Sequence, residues 1–190
     1  MIETSPQIPR LLQGSTEWYT PSSLLDTTRR VLGTIELDPA SCSLANQTVQ
    51  ATRYYDQQVN GLRQAWIAET VWLHPPYCKS GNRSNQEVWT RKLLDEYQAG
   101  NVKQALLLVN AATETRWFHQ LYAFPICFLK GRIHFTNPTG ITTGPTVGSA
   151  IVYLGDQVER FINVFGPLGV VVHSVSAAQR DVELWKEMEA

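Results

Sequence analysis

Apolar and polar positions change their period several times along this 190-residue chain, and each change marks an element. Leu24, Leu25, Val31 and Leu32 fit one face of a helix that Ser22 or Ser23 can cap and Gly33 can stop. TIELD, from Thr34, predicts a short strand ending at Asp38-Pro39. Ser41 or Ser43 can cap a helix running through Val49 and Arg53, and Tyr54-Tyr55 is a candidate strand start. Asn60-Gly61 signals a turn. TVWL reads as a strand broken at His74-Pro75-Pro76, because proline has no N–H and a fixed φ.

A polar loop, CKSGNRSNQ, leads into a helix carrying Val88, Trp89, Leu93 and Tyr97, which stops at Gly100. ALLLV, from Ala105, is the near-continuous apolar run of a strand covered on both faces. Thr113 or Thr115 can cap a short helix with Trp117, Phe118 and Leu121. Ile126 to Leu129 and Ile133 to Phe135 read as strands, followed by a Thr-, Gly- and Pro-rich loop from Asn137 to Gly148. SAIVYLG predicts a strand, DQVERFINVF a helix and VVVHSV a last strand.

Such alternation with short connections predicts an α/β fold with parallel strands. Ligands of these sheets sit beyond the carboxyl ends of the strands, near the point where strand order reverses. Asp38-Pro39 and His74-Pro75-Pro76-Tyr77 are the two unusual strand ends, so a site is expected between them.

Composition narrows the picture. Hydrophobic residues at 43% and charged residues at 17% describe an ordinary globular chain. One domain over 17–175 is expected, with a loose polar arm over 1–16 and a helical tail over 176–190. A net charge of -1 offers no global attraction to polyanions, so a nucleic-acid site has to be a local patch. Three scattered cysteines without a CxxC pair, and four histidines without ligand spacing, suggest neither a disulfide framework nor a metal centre. The opening MIETSPQIPR lacks the apolar core of a signal peptide and no run approaches a bilayer span, so a cytoplasmic protein with no membrane contact is expected.

EWYTP (Glu17 to Pro21), ELDPAS (Glu36 to Ser41), NGL…W (Asn60 to Trp66) and VWLHPPY follow one another in order. CFLKGRIHF, SAIVYLG and RFINVFGPLG follow downstream. Together they resemble the phage and prophage Dam-like DNA N6-adenine methyltransferase family over about Glu17 to Gly169. The resemblance implies a Rossmann-like AdoMet-dependent methyltransferase fold, a mixed doubly wound sheet with helices on both faces and one antiparallel strand. It implies methyl transfer from S-adenosyl-L-methionine (AdoMet) to the N6 amine of adenine in double-stranded DNA, without a metal.

The same resemblance assigns residues. His74, Pro75, Pro76 and Tyr77 would form the catalytic hook, with the Pro75 carbonyl accepting from the amine and Tyr77 stacking on a flipped adenine. Trp18, Tyr19, Thr20 and Pro21 would contact AdoMet, as would Asp38, Pro39, Ala40, Ser41 and Asn60. Thr20 would bond the cofactor's methionine end. Bland alternatives are a core aromatic segment at 18–21, a helix-capping turn at 38–41 and a plain turn at Asn60. Lys79, Arg83 and Arg132 are candidates for DNA phosphate contacts, or else solvated surface charges.

His74 departs from the family pattern, where Asn or Asp stands. Neutral histidine offers one acceptor nitrogen and protonated histidine none. Two further readings therefore stand beside the active enzyme. One is a catalytically impaired AdoMet- or DNA-binding member of the fold. The other is a methyltransferase acting on RNA or a protein amide.

Overall fold

The computed structural model describes residues 17–77, 79–80 and 83–174, with Lys79, Ser80 and Arg83 described by their backbone alone. The expected arm over 1–16 and tail over 176–190 lie outside the described residues.

Eleven strands and five α-helices are found among them. Helix α1 (Ser22–Leu32) buries Leu24, Leu25, Thr28, Val31 and Leu32 and stops at Gly33, whose φ of 79° suits glycine. Its N-cap is Pro21 rather than either serine, because the Pro21 carbonyl takes the first amide bonds, from Leu24 and Leu25. Strand β1 (Leu37–Asp38) is followed by α2 (Ser43–Val49). The cap of α2 is Cys42, whose sulfur accepts from the Ala45 amide, so neither Ser41 nor Ser43 fills that role. This helix ends at Gln50 in a left-handed conformation instead of continuing to Arg53, which already belongs to β2 (Arg53–Tyr54).

Strand β3 (Ala68–Leu73) runs to the residue before His74. The loop expected after it contains a small hairpin of β4 (Lys79–Ser80) and β5 (Arg83–Ser84). Helix α3 (Asn85–Gln98), capped by the Ser84 hydroxyl, leads to β6 (Val102–Asn110). Helix α4 (Arg116–His119) has Thr115 at its N-cap, but that hydroxyl donates to the Ala112 carbonyl instead of capping.

Strand β7 (Ile126–Leu129) precedes β8 (Phe135–Thr136), which leaves the main sheet to pair with β9 (Thr142–Thr143). The strand expected at Ile133 to Phe135 is therefore one arm of a separate hairpin. Strand β10 (Ser149–Leu154), α5 (Val158–Phe165) and β11 (Gly169–Val172) complete the described fold.

The seven-stranded sheet has the order β11-β7-β10-β6-β3-β1-β2. Strands β2, β1, β3 and β6 are mutually parallel. Strand β10 is antiparallel to β6 and β7, and β11 is antiparallel to β7, so two strands run against the rest where one was expected. A short connection through a 3-10 turn suffices to return β11 beside β7. Alternate residues of β6 divide the core. Leu107 and Val109 meet Trp89, Leu93 and Phe118 of α3 and α4 on one face. Leu106 and Leu108 meet Leu25, Phe161 and Phe165 of α1 and α5 on the other. Fully burying each such side chain contributes about 1.5–3 kcal/mol.

After β1 the chain moves outward to β2 and then returns to the other side of β1 for β3. Strand order thus reverses between β1 and β3, and their carboxyl ends open a crevice there.

Candidate active site

That crevice is a cavity of about 540 Å³, within the ~300–1,000 Å³ common for small-molecule sites. Three sequence-distant stretches converge on it: Trp18 to Thr20, Asp38 to Ser41, and His74 to Tyr77, with Asn60 beside them. Pro21 is not part of the lining, since its place is the start of α1.

Asp38 ends β1 and is buried, with its carboxylate accepting from the Ala40 amide at 3.1 Å. Burial pushes its carboxyl up to about 7, against the lesser pull of Ala40 and Ser41. The Ser41 hydroxyl is close by, yet it is buried without completing a hydrogen bond in the protein. A buried hydroxyl beside a carboxylate is a pair of groups that can bond a polar ligand.

The turn at Asn60 is built against this loop. Asn60 has a φ of 55°, and its side-chain oxygen accepts from the Leu62 amide at 3.2 Å. A side chain at Gly61 would run into the Pro39 carbonyl, so the turn and the loop after β1 touch backbone to backbone. Buried Trp66 donates its indole N–H to the Gly61 carbonyl and stacks on Trp89. The NGL…W spacing is thereby explained as a clamp on one wall of the cavity.

His74 is the meeting point of three segments. Its Nδ1 lies 3.0 Å from the Thr20 hydroxyl and its Nε2 lies 2.9 Å from the Tyr77 hydroxyl. Its ring stacks on Phe135 with centroids 5.1 Å apart. Phe135 begins the β8–β9 hairpin, and the next residue, Thr136, pairs with Tyr19 through backbone hydrogen bonds. Burial pushes the imidazole down to about 3 and the Tyr77 phenol upward, so both are neutral near pH 7. Neither ring nitrogen of His74 is left over for a substrate amine. An acceptor role for that ring would require it to give up one of these two hydroxyl partners.

Tyr19 points its hydroxyl at Glu17 and toward the Cys42 sulfur, and burial raises its phenol. Trp18 packs against the core under α1 while it also borders the cavity. Among the cationic candidates, Arg132 is exposed and follows β7 at the same sheet edge as the cavity. Lys79 and Arg83 lie in the β4–β5 hairpin, with side chains outside the described residues. Sequence reading missed Phe135, Cys42 and Trp89 as site residues. Phe135 carried a hint, being the aromatic that ends CFLKGRIHF, but its partner is set by tertiary packing alone.

A model of the family described as DNA N-6-adenine-methyltransferase (Dam) matches residues 12–157. The chain belongs to that family. Among curated proteins, none matches the chain. Membership in the Dam family carries a reaction class, methyl transfer to adenine N6, and a substrate class, DNA. Methyltransferases of this kind generally use AdoMet. The match spans the Trp18–Thr20, Asp38–Ser41 and His74–Tyr77 stretches, all three walls of the cavity. Among the described residues, no cluster of three or more His, Cys, Asp or Glu could hold a metal, and no helix is long and apolar enough to cross a membrane.

Proposed function

We propose that this Dam family chain is a site-specific methyltransferase of the phage and prophage type, moving a methyl group from AdoMet directly to N6 of a flipped adenine. The observation that carries this reading is the meeting of Asp38 and the His74-Pro75-Pro76-Tyr77 hook around one cavity at the reversal of strand order. That strand order, with β10 antiparallel between β6 and β7, suits the Rossmann-like methyltransferase fold.

The cavity fits AdoMet by its chemistry. Thr20, Asp38, Ser41 and Asn60 offer polar groups for the amino-acid and ribose hydroxyl groups, and Trp18 and Tyr19 offer apolar ring surface. The Ser41 hydroxyl, with no full hydrogen bond in the protein, and the Asp38 carboxyl beside it are both able to bond a polar ligand. AdoMet supplies an electrophilic methyl group on a sulfonium.

The chain's own residues do the rest. Adenine's amine is a poor nucleophile because its lone pair is delocalised into the ring. The Pro75 carbonyl, held by two ring-locked residues, accepts from that amine and favours the positive charge developing on it. Tyr77 stacks on the base, and holding amine and methyl in line replaces an encounter between separate molecules. Arg132, with Lys79 and Arg83, meets DNA phosphates and fixes the duplex without reading sequence.

The test is transfer of labelled methyl from AdoMet to unmethylated duplex DNA, with N6-methyladenine identified in the product. No label in any adenine-containing duplex would sink the reading. One observation favours the impaired alternative: both His74 nitrogens are already bonded, so the hook lacks a side-chain acceptor. That alternative expects cofactor binding without turnover in the parent and restored transfer in His74→Asn.

A further inference from the structure

The Thr20 and Tyr77 hydroxyls flank one imidazole, 3.0 Å from Nδ1 and 2.9 Å from Nε2. Among the described residues neither hydroxyl makes a second hydrogen bond. Thr20 is buried and Tyr77 half-buried, and both line the cavity. Stacking on Phe135 and the edge contact with Tyr77, at 5.2 Å between centroids, hold the ring in this orientation.

A neutral imidazole carries one N–H and one lone pair. One hydroxyl must therefore accept from the ring while the other donates to it. The accepting hydroxyl keeps its own hydrogen free, and the donating one does not. Only two proton arrangements of Thr20–His74–Tyr77 satisfy every group. In one, the free hydrogen belongs to Thr20, a residue that lines the cavity; in the other it belongs to Tyr77. Burial keeps the ring neutral, so the arrangement with both nitrogens protonated is not reached near pH 7.

We propose that the carboxylate of a ligand's amino-acid end accepts a hydrogen bond from the Thr20 hydroxyl, which sets His74 as the Nδ1–H tautomer and commits the Tyr77 hydroxyl to donate to Nε2. This rests on reading the cavity as the AdoMet site. His74 is then a positioning residue: it passes cofactor occupancy to the ring that receives the base, and it touches neither reacting atom. The tyrosine hydroxyl, fixed as a donor to the ring, has no hydrogen left to compete for the edges of the adenine. Histidine at this place gains a purpose that the acceptor role could not give it.

The experiment uses full-length protein with 15N-labelled histidine, saturated with S-adenosylhomocysteine, which has the same amino-acid end and transfers nothing. Calorimetry establishes saturation, and His74→Asn identifies the His74 signals by their loss. Two-bond 15N–1H correlations then report the tautomer. The expected result is Nδ1–H in at least about tenfold excess in the loaded parent, the preference that a hydrogen bond of roughly 1.4 kcal/mol supplies. Thr20→Val removes the acceptor for Nδ1–H and is expected to move the loaded signal toward Nε2–H. Binding with Nε2–H dominant, or a loaded Thr20→Val signal identical to the parent's, overturns the proposal and leaves the AdoMet reading standing. Absence of any binding by calorimetry overturns both.

Discussion

The indole N–H of Trp66 donates to the Gly61 carbonyl at 2.8 Å, five residues back along the chain. This bond presses the Asn60-Gly61 turn onto the loop after β1, so a side chain at position 61 has no space beside the Pro39 carbonyl. One backbone contact thus links a buried tryptophan to the wall of the cavity.

Gly61→Ala is expected to destabilise the protein by about 1–3 kcal/mol, the usual cost of overfilling a packed site. Because the displaced atoms belong to Pro39, affinity for AdoMet should fall as well. Gly166 is the control: nothing lies within 4 Å of its would-be side chain and its φ is -52°. Gly166→Ala should change stability by less than about 1 kcal/mol. Denaturant midpoints and calorimetric titration of both variants check this, and equal effects would remove the steric explanation.

Asp38 and His74 pull stability in opposite directions as pH changes. The Asp38 carboxyl rises from its ordinary 3.8 to about 7, so between those values the folded chain holds more protons than the unfolded one. Its contribution to stability therefore falls as pH rises from about 4 to 7. His74 drops from 6.5 to about 3, so its contribution is lost as pH falls from 6.5 toward 3. Asp38→Asn should accordingly stabilise the ligand-free protein at pH 8, with the advantage fading toward pH 4. Each tenfold change in proton affinity is worth about 1.4 kcal/mol. Thermal midpoints of parent and variant across pH 4 to 8 test the sign. A constant offset would mean that charge at Asp38 is not the cause.

Much of this was legible in the chain. The apolar runs at TVWL and ALLLV marked β3 and β6, because a strand covered on both faces needs no polar alternation. Asp38-Pro39 and His74-Pro75-Pro76 stood out because proline ends strands, and both ends do border the cavity. What stayed hidden was pairing at a distance. Nothing local says that Thr20 meets a ring 54 residues away, or that Phe135 leaves its expected strand to stack on the same ring. The Cys42 cap was missed because serine and aspartate are the usual cap residues, and flanking serines masked the weaker sulfur acceptor. The direction of β11 is a topological fact that an apolar VVV run cannot carry.

Tyr77 combines two roles that substitution separates. In the proposed mechanism its ring stacks on the flipped base, while its hydroxyl is bonded to His74. Tyr77→Ala should lower kcat/KM for DNA about ten- to a hundredfold, in line with ~1–3 kcal/mol for base–aromatic stacking. Tyr77→Phe keeps the ring and should lose less, with the remaining cost arising from a His74 nitrogen left unpaired. Equal losses for Phe and Ala would show that the hydroxyl, not the ring, carries the effect.

Arg132 offers a test of how the duplex is held. It is exposed, it follows β7 at the carboxyl edge of the sheet, and its guanidinium extends along the turn near Gly148. The chain's net charge of -1 gives no general pull on DNA, so single cations at this edge have to count. If Arg132 contacts one phosphate, Arg132→Ala should weaken binding to every duplex by a similar factor and reduce the slope of log affinity against log salt by about 1. Fluorescence anisotropy at several salt concentrations, on duplexes with and without the preferred site, measures both quantities. An unchanged slope would return Arg132 to the solvated surface. A loss confined to one sequence would instead make it a reader of bases, because a phosphate contact is blind to the base pair beside it.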